Sequence, residues 1–127
     1  VFFEPIADSW LVIPCTFWDA PATDRAVFIA DDYYQLVGAY MTYSAAVGSA
    51  GTVQLVKDVS TDAPGAGTDL LATAIDCNTT ANTPLVGVPL TTNPFTSVIK
   101  AGDRLSWDYT AASSLAGTNA VVVLRKI

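Results

Sequence analysis

The chain has 127 residues and no histidine, so nucleophile–histidine pairs and histidine–metal centres have no residue to work through. Proton chemistry is left to carboxylates. The densest acidic spot is Asp31-Asp32, directly before Tyr33-Tyr34, and a carboxylate pair is the minimum equipment for acid–base hydrolysis of a glycoside. Adjacent side chains on a strand diverge to opposite faces, however, and aspartates in turns bond local amides, so this pair reads as turn chemistry. Asp62 and Asp69 flank the glycine-rich "APGAG"; a phosphate cradle would also need a lysine and a strand-to-helix setting, so the segment reads as a flexible loop. No D-x-D-x-D-G calcium loop occurs. The expectation is no catalytic residue, no metal and no cofactor.

Cys15 and Cys77 leave two readings open. Paired, they would close a long loop and contribute about 4 kcal/mol; unpaired, they are small buried hydrophobes, the reading favoured in the absence of any sign of an oxidising compartment. Their spacing does not fit a zinc site. The Asn78-Thr79-Thr80 sequon has meaning only in a secreted eukaryotic setting, of which nothing in the sequence gives a sign.

The stretch "KAGDRLSWDYTAA", residues 100–112, shows what positions such groups. From Arg104 to Thr110, Leu105, Trp107 and Tyr109 alternate with Arg104, Ser106, Asp108 and Thr110, the period of a half-buried strand with the aromatics in the core. Ala101-Gly102-Asp103 is then the turn that feeds it, glycine supplying backbone freedom and aspartate a local hydrogen bond. Ala26–Ala30 is apolar on both faces. Val37, Ala39, Met41 and Tyr43 alternate with Gly38, Tyr40, Thr42 and Ser44, and Val53 and Leu55 with Thr52 and Gln54. Further strands are expected at Leu70–Ile75, Leu85–Leu90, Phe95–Ile99 and Ala120–Arg125, separated by turns at "GSAG", "DAPGAG", "NTTANTP" and "TTNP". Helix is restricted to a turn or two at "TDLLATAI". About eight short strands in one domain predict an all-β, single-domain antiparallel β-sandwich of jelly-roll or Greek-key type, spanning residues 22–127.

Residues 1–21 differ. Phe2, Phe3, Trp10, Phe17 and Trp18 lie beside Pro5, Pro14 and Pro21, too aromatic for a solvated tail and too proline-rich for a central strand. The segment is expected to be an extended arm that covers an edge of its own sandwich or packs on a neighbouring subunit. These five aromatics are the candidate partner-binding anchors.

Charge narrows the partners. The formal net charge is −6, from 12 acids against 6 bases, and the bases are scattered, so nucleic acid is not expected. The charge-free run between Tyr33 and Val56 holds glutamines, serines and glycines, which excludes a transmembrane helix. The first residues lack the basic-then-apolar form of a signal peptide. Only 14% of residues are charged, which leaves surface that opposes association weakly. Tyr33, Tyr34, Tyr40 and Trp18 are candidates for a sugar platform, the alternative function being a carbohydrate-binding or other structural module.

Residues 26–127, with "AVFIADDYYQLVGAYMTYSAAVGSAGTVQLVKD", "APGAGTDLLATAIDCNTTANT" and "IKAGDRLSWDYT", resemble small β-sandwich virion proteins of tailed bacteriophages, the head decoration or cement group. "APGAGTDLL" and "AGDRL" are the most recognisable pieces, and both are turn and strand-entry elements. The resemblance implies a non-enzymatic capsid decoration protein on the outer surface of the head. It would be a homo-oligomer, a trimer, that binds the major capsid protein and bridges capsomers.

Overall fold

The structure is a computed structural model that describes residues 10–17, 24–43, 51–90, 97–110 and 118–127. Two antiparallel sheets pack face to face, as the alternating pattern predicts, and no helix occurs among the described residues. In the first sheet the order is β1 (Trp10–Phe17), β10 (Thr118–Lys126), β3 (Tyr34–Tyr43), β7 (Leu85–Gly87), with β8 (Val98–Ile99) also on β3. In the second it is β2 (Arg25–Ile29), β9 (Arg104–Thr110), β4 (Thr52–Asp58), β5 (Thr68–Asp69), with β6 (Ile75–Asp76) also on β4. Each sheet thus holds a late strand, β10 or β9, between two early ones.

Residues 10–17 of the proline-rich segment form β1, paired to β10 along its whole length from Trp10–Arg125 to Phe17–Thr118. As the outermost strand of its sheet it tolerates Pro14, which a central strand would not. Residues 1–9 and 18–21 lie outside the described residues.

The core is what the inward positions supply. Trp107, Leu105, Leu55, Val53, Met41, Ala39, Val122 and Leu124 are buried between the sheets. On β3 the expected alternation holds for Ala39, Met41 and Tyr43 but not for Val37, which is only half-buried. A bulge resets the phase there: Val123 pairs with Gly38 and Leu124 with Leu36, so Val37 is the extra residue and Leu36 and Tyr34 turn inward instead. The turn before β9 forms as expected. Gly102 has φ +92°, Asp103 Oδ2 accepts from Lys100 N at 2.9 Å, and Ala30 N and Gly102 N bond Asp103 O and Ala30 O.

The strand expected at Leu70–Ile75 is broken. Leu70 N still bonds Leu55 O, but the chain then leaves β4 and returns only at β6. The Gln54 side chain fills the gap: its Oε1 accepts from Leu71 N at 3.0 Å and its Nε2 donates to Leu71 O at 3.3 Å, standing in for a missing ladder partner. Freed from β4, Leu71 makes a bridge to Pro89, with Ala72 N on Val88 O and Leu90 N on Leu70 O. Residues 85–90 therefore pair with the first sheet by one half and with the second by the other, joining the two sheets along that side.

Candidate functional site

The outer face of the second sheet is covered. Asp58, at the end of β4, is fully buried and accepts from Gly65 N at 3.2 Å, Gly67 N at 3.0 Å and Ser106 Oγ. This carboxylate fastens residues 59–67 over the sheet, so the glycine-rich segment is held in place rather than flexible. Closeness explains Gly67: a Cβ there would lie 2.0 Å from the Lys57 carbonyl oxygen. Ser106, Gln54 and Val56 point outward by strand period yet are buried, because residues 59–72 overlie or complete the sheet.

Beside this cover the surface is acidic. Asp24 Oδ1 accepts from Tyr109 N at 3.0 Å, and its other oxygen lies near Gly65. Asp108 has its carboxyl pushed above the usual range, first by burial, then by the charge of Asp24 and a hydrogen bond to it, then by Asp69 and Asp58. Among the described residues no group of three or more acidic or thiol side chains is arranged to hold a metal ion. A carboxyl whose folded pKa is raised gives stability that is full below its unfolded value, about 3.9, and is lost as pH rises through the folded value. Asp108→Asn is accordingly expected to raise the melting temperature at neutral pH, and the gain over wild type should vanish when both are melted below about pH 4. An equal gain at both pH values would refute the electrostatic cause.

The Asp31-Asp32 pair is engaged locally. Asp31 Oδ1 accepts from the Tyr34 hydroxyl, which it pushes up to about 12. Asp32 accepts from Tyr33 N at 2.8 Å and pairs with Lys126 at 2.9 Å, which holds its carboxyl below the usual range and raises the lysine. The two carboxylates clamp the β2–β3 turn and the end of β10. Cys15 and Cys77 are separate buried thiols, both pushed up by burial, and thiols kept protonated are poor nucleophiles. The Tyr43 hydroxyl lies 2.7 Å from Met41 Sδ and 3.0 Å from Cys77 Sγ.

The outer face of the first sheet is a different surface. Register places Pro14, Val121, Tyr40 and Val86 in one row across β1, β10, β3 and β7, and Val12, Val123 and Gly38 in the adjoining row. Trp10, Val12, Tyr40 and Val86 are 50%, 57%, 46% and 60% exposed. The Tyr40 ring lies along the sheet over Gly38, its hydroxyl 3.0 Å from where a glycine Cβ would be. A third row holds Trp10, Arg125 and Gln35, and Arg125 is the sole charge among the described residues of the three rows. By strand spacing the apolar area is on the order of 300 Å², the size of patch that on a monomer is often functional.

No family model, curated protein or solved structure matches the chain. The site therefore rests on its own residues.

Of the five candidate anchors, Trp10 stands half-exposed on this face, and Phe17 lies at the far end of β1, about 23 Å away along the strand. Phe2, Phe3 and Trp18 lie outside the described residues. Of the sugar-platform candidates Tyr34 is buried and only 7% exposed, while Tyr33 and Tyr40 are exposed on separate elements; Trp18 is again outside. Sequence reading missed Val12, Val121, Val123 and Val86 as one surface. Each is an ordinary outward residue in its own strand, and only the register across four strands makes them neighbours.

Proposed function

We propose that the protein is a non-enzymatic capsid decoration protein that clips onto the outer surface of a tailed-phage head through the exposed face of β1, β10, β3 and β7. The observation that carries this reading is the asymmetry of the two outer faces: one is covered by a pinned loop and ringed by aspartates, the other is exposed, apolar and, among the described residues, nearly free of charge. On one flank the two edge strands are interrupted, β1 by Pro14 and β2 by a bulge at Val27, which disfavours association by pairing at those two edges and favours the face as the adhesive element. A patch of this size falls short of the roughly 800 Å² per partner of a stable lone contact. Linking protomers, as a trimer of jelly-roll sandwiches seated on the major capsid protein would, multiplies weak contacts into firm bridging of capsomers.

The sequence resemblance supports the viral context. The carbohydrate-module reading is weaker, since Tyr34 is withdrawn into the core and hydrogen-bonded to Asp31, leaving Tyr33 without a paired ring. The test is co-sedimentation with tailed-phage heads lacking their decoration protein. Val12→Glu with Tyr40→Glu should weaken capture at least tenfold, about 1.4 kcal/mol, while far-UV circular dichroism stays that of the wild type. Undiminished capture by the folded double variant would reject the face as the contact.

A further inference from the structure

Where residues 71–74 leave β4 and residues 85–87 stay with β3, the two chains diverge and leave an open groove of about 520 Å³, within the range of ligand-binding clefts. Its walls are strand edges. Val88 O and Leu90 N bond the 70–72 side, so by alternation Leu85 and Gly87 face β3 and Val86 directs its N–H and C=O into the groove. Opposite, Cys77 N bonds Gly51 O, so residues 75 and 77 face β4 and Asp76 directs its backbone groups into the same space. The lining is small and aliphatic, with Ala72, Ala74, Val86 and Val88, and the polar groups are few. Thr79 Oγ1 is buried without a hydrogen-bond partner, and the Asp76 carboxylate, one oxygen of which caps Asn78 N, is the groove's single charge. Among the described residues no cation pairs with it.

We propose that this groove receives an extended peptide segment of another protein, added as a strand between β7 and β6, with aliphatic residues against Val86 and Val88 and a basic residue at Asp76. Facing strand edges with outward donors and acceptors recognise a peptide backbone. A lipid or a sugar ring would leave those groups unanswered. The lone carboxylate selects a cationic side chain, and it disfavours a second copy of this chain, which carries twice as many acids as bases. The inference stands independently of the capsid reading, since any basic, extended partner segment would satisfy it.

The probes are two blocked peptides, Ac-Val-Lys-Val-Lys-Val-NH2 and Ac-Val-Glu-Val-Glu-Val-NH2, titrated into the isotope-labelled full chain. The lysine peptide is expected to shift the amide signals of Val86 and Asp76, slow their hydrogen exchange, and bind at least tenfold more tightly than the glutamate peptide. Val86→Pro removes one outward N–H at a position where the ladder to β3 does not use it, and should cut that affinity about tenfold. Asp76→Asn retains the Asn78 cap and should abolish the preference between the peptides while leaving residual binding. Four results would overturn the proposal: equal affinity for both peptides, preference surviving in Asp76→Asn, no binding at millimolar concentration, or a concentration-dependent dimer that occupies the groove instead.

Discussion

Asp58→Ala is expected to cost about 3–5 kcal/mol, a large part of the total stability of a domain of this size. The carboxylate is fully buried and is the shared acceptor for two backbone N–H groups and one hydroxyl. Hydrogen bonds to a charged acceptor are worth more than neutral ones, and its removal strands three donors. Alanine cannot replace any of them. Asp58→Asn keeps the shape and one acceptor oxygen but turns an NH2 toward donors, so roughly half the loss is expected. Two measurements separate local from global damage: urea denaturation for the whole fold, and elastase cleavage after Ala66 for the cover. In the Asp58→Ala background, Ser106→Ala should have almost no further effect, since its partner is already gone. A stability change below about 1 kcal/mol with the loop still protected would show that residues 59–67 are held by something else.

Trp107→Ala is expected to remove a similar 3–5 kcal/mol and to lower the melting temperature by roughly 15 °C. Among the described residues Trp107 is the largest fully buried side chain, paired in register to Arg25 on one side and Leu55 on the other, so its ring fills the space between the sheets at the centre of the second. Its indole N–H makes no hydrogen bond of good geometry. It pulls the neighbouring Cys15 thiol down against the larger upward push of burial. Trp107→Phe deletes that idle donor along with part of the ring, and should cost about 1.5 kcal/mol or less. Calorimetric melts of the two variants give the comparison. If phenylalanine proved as damaging as alanine, the indole N–H would hold a structural bond after all.

How much of this was legible in the chain depends on whether the cause was local. Leu105, Trp107, Ala39, Met41 and Tyr43 lie inward because strand period alone dictates it, and Gly102-Asp103 makes its turn from its own residues. Val37 escaped because a bulge shifts the phase of β3, and a bulge is a property of the pairing with β10. Gln54 and Ser106 read as outward and are buried, since what covers or occupies them comes from residues 58–72, remote in the pattern. Asp58 gave no signal at all: a single aspartate at a strand end becomes an anchor only when two glycine amides arrive above it. The same holds for the bare face and the groove, the first a matter of register across four strands, the second of Gln54 releasing one strand from its neighbour. The prolines of the first twenty-one residues argued correctly against a central strand, but an edge strand satisfies the same constraint.

The position of β9 and β10 in the middle of their sheets bears on how the molecule is made. During translation β1 through β8 would leave the ribosome with every flank present and neither centre: β1 and β3 await β10, and β2 and β4 await β9. A nascent chain halted after Ile99 has nothing to zip its halves together, so compaction is postponed until the carboxyl-terminal strands emerge. Such late, non-local closure makes for slow folding and a long interval in which unpaired strands are open to chaperones.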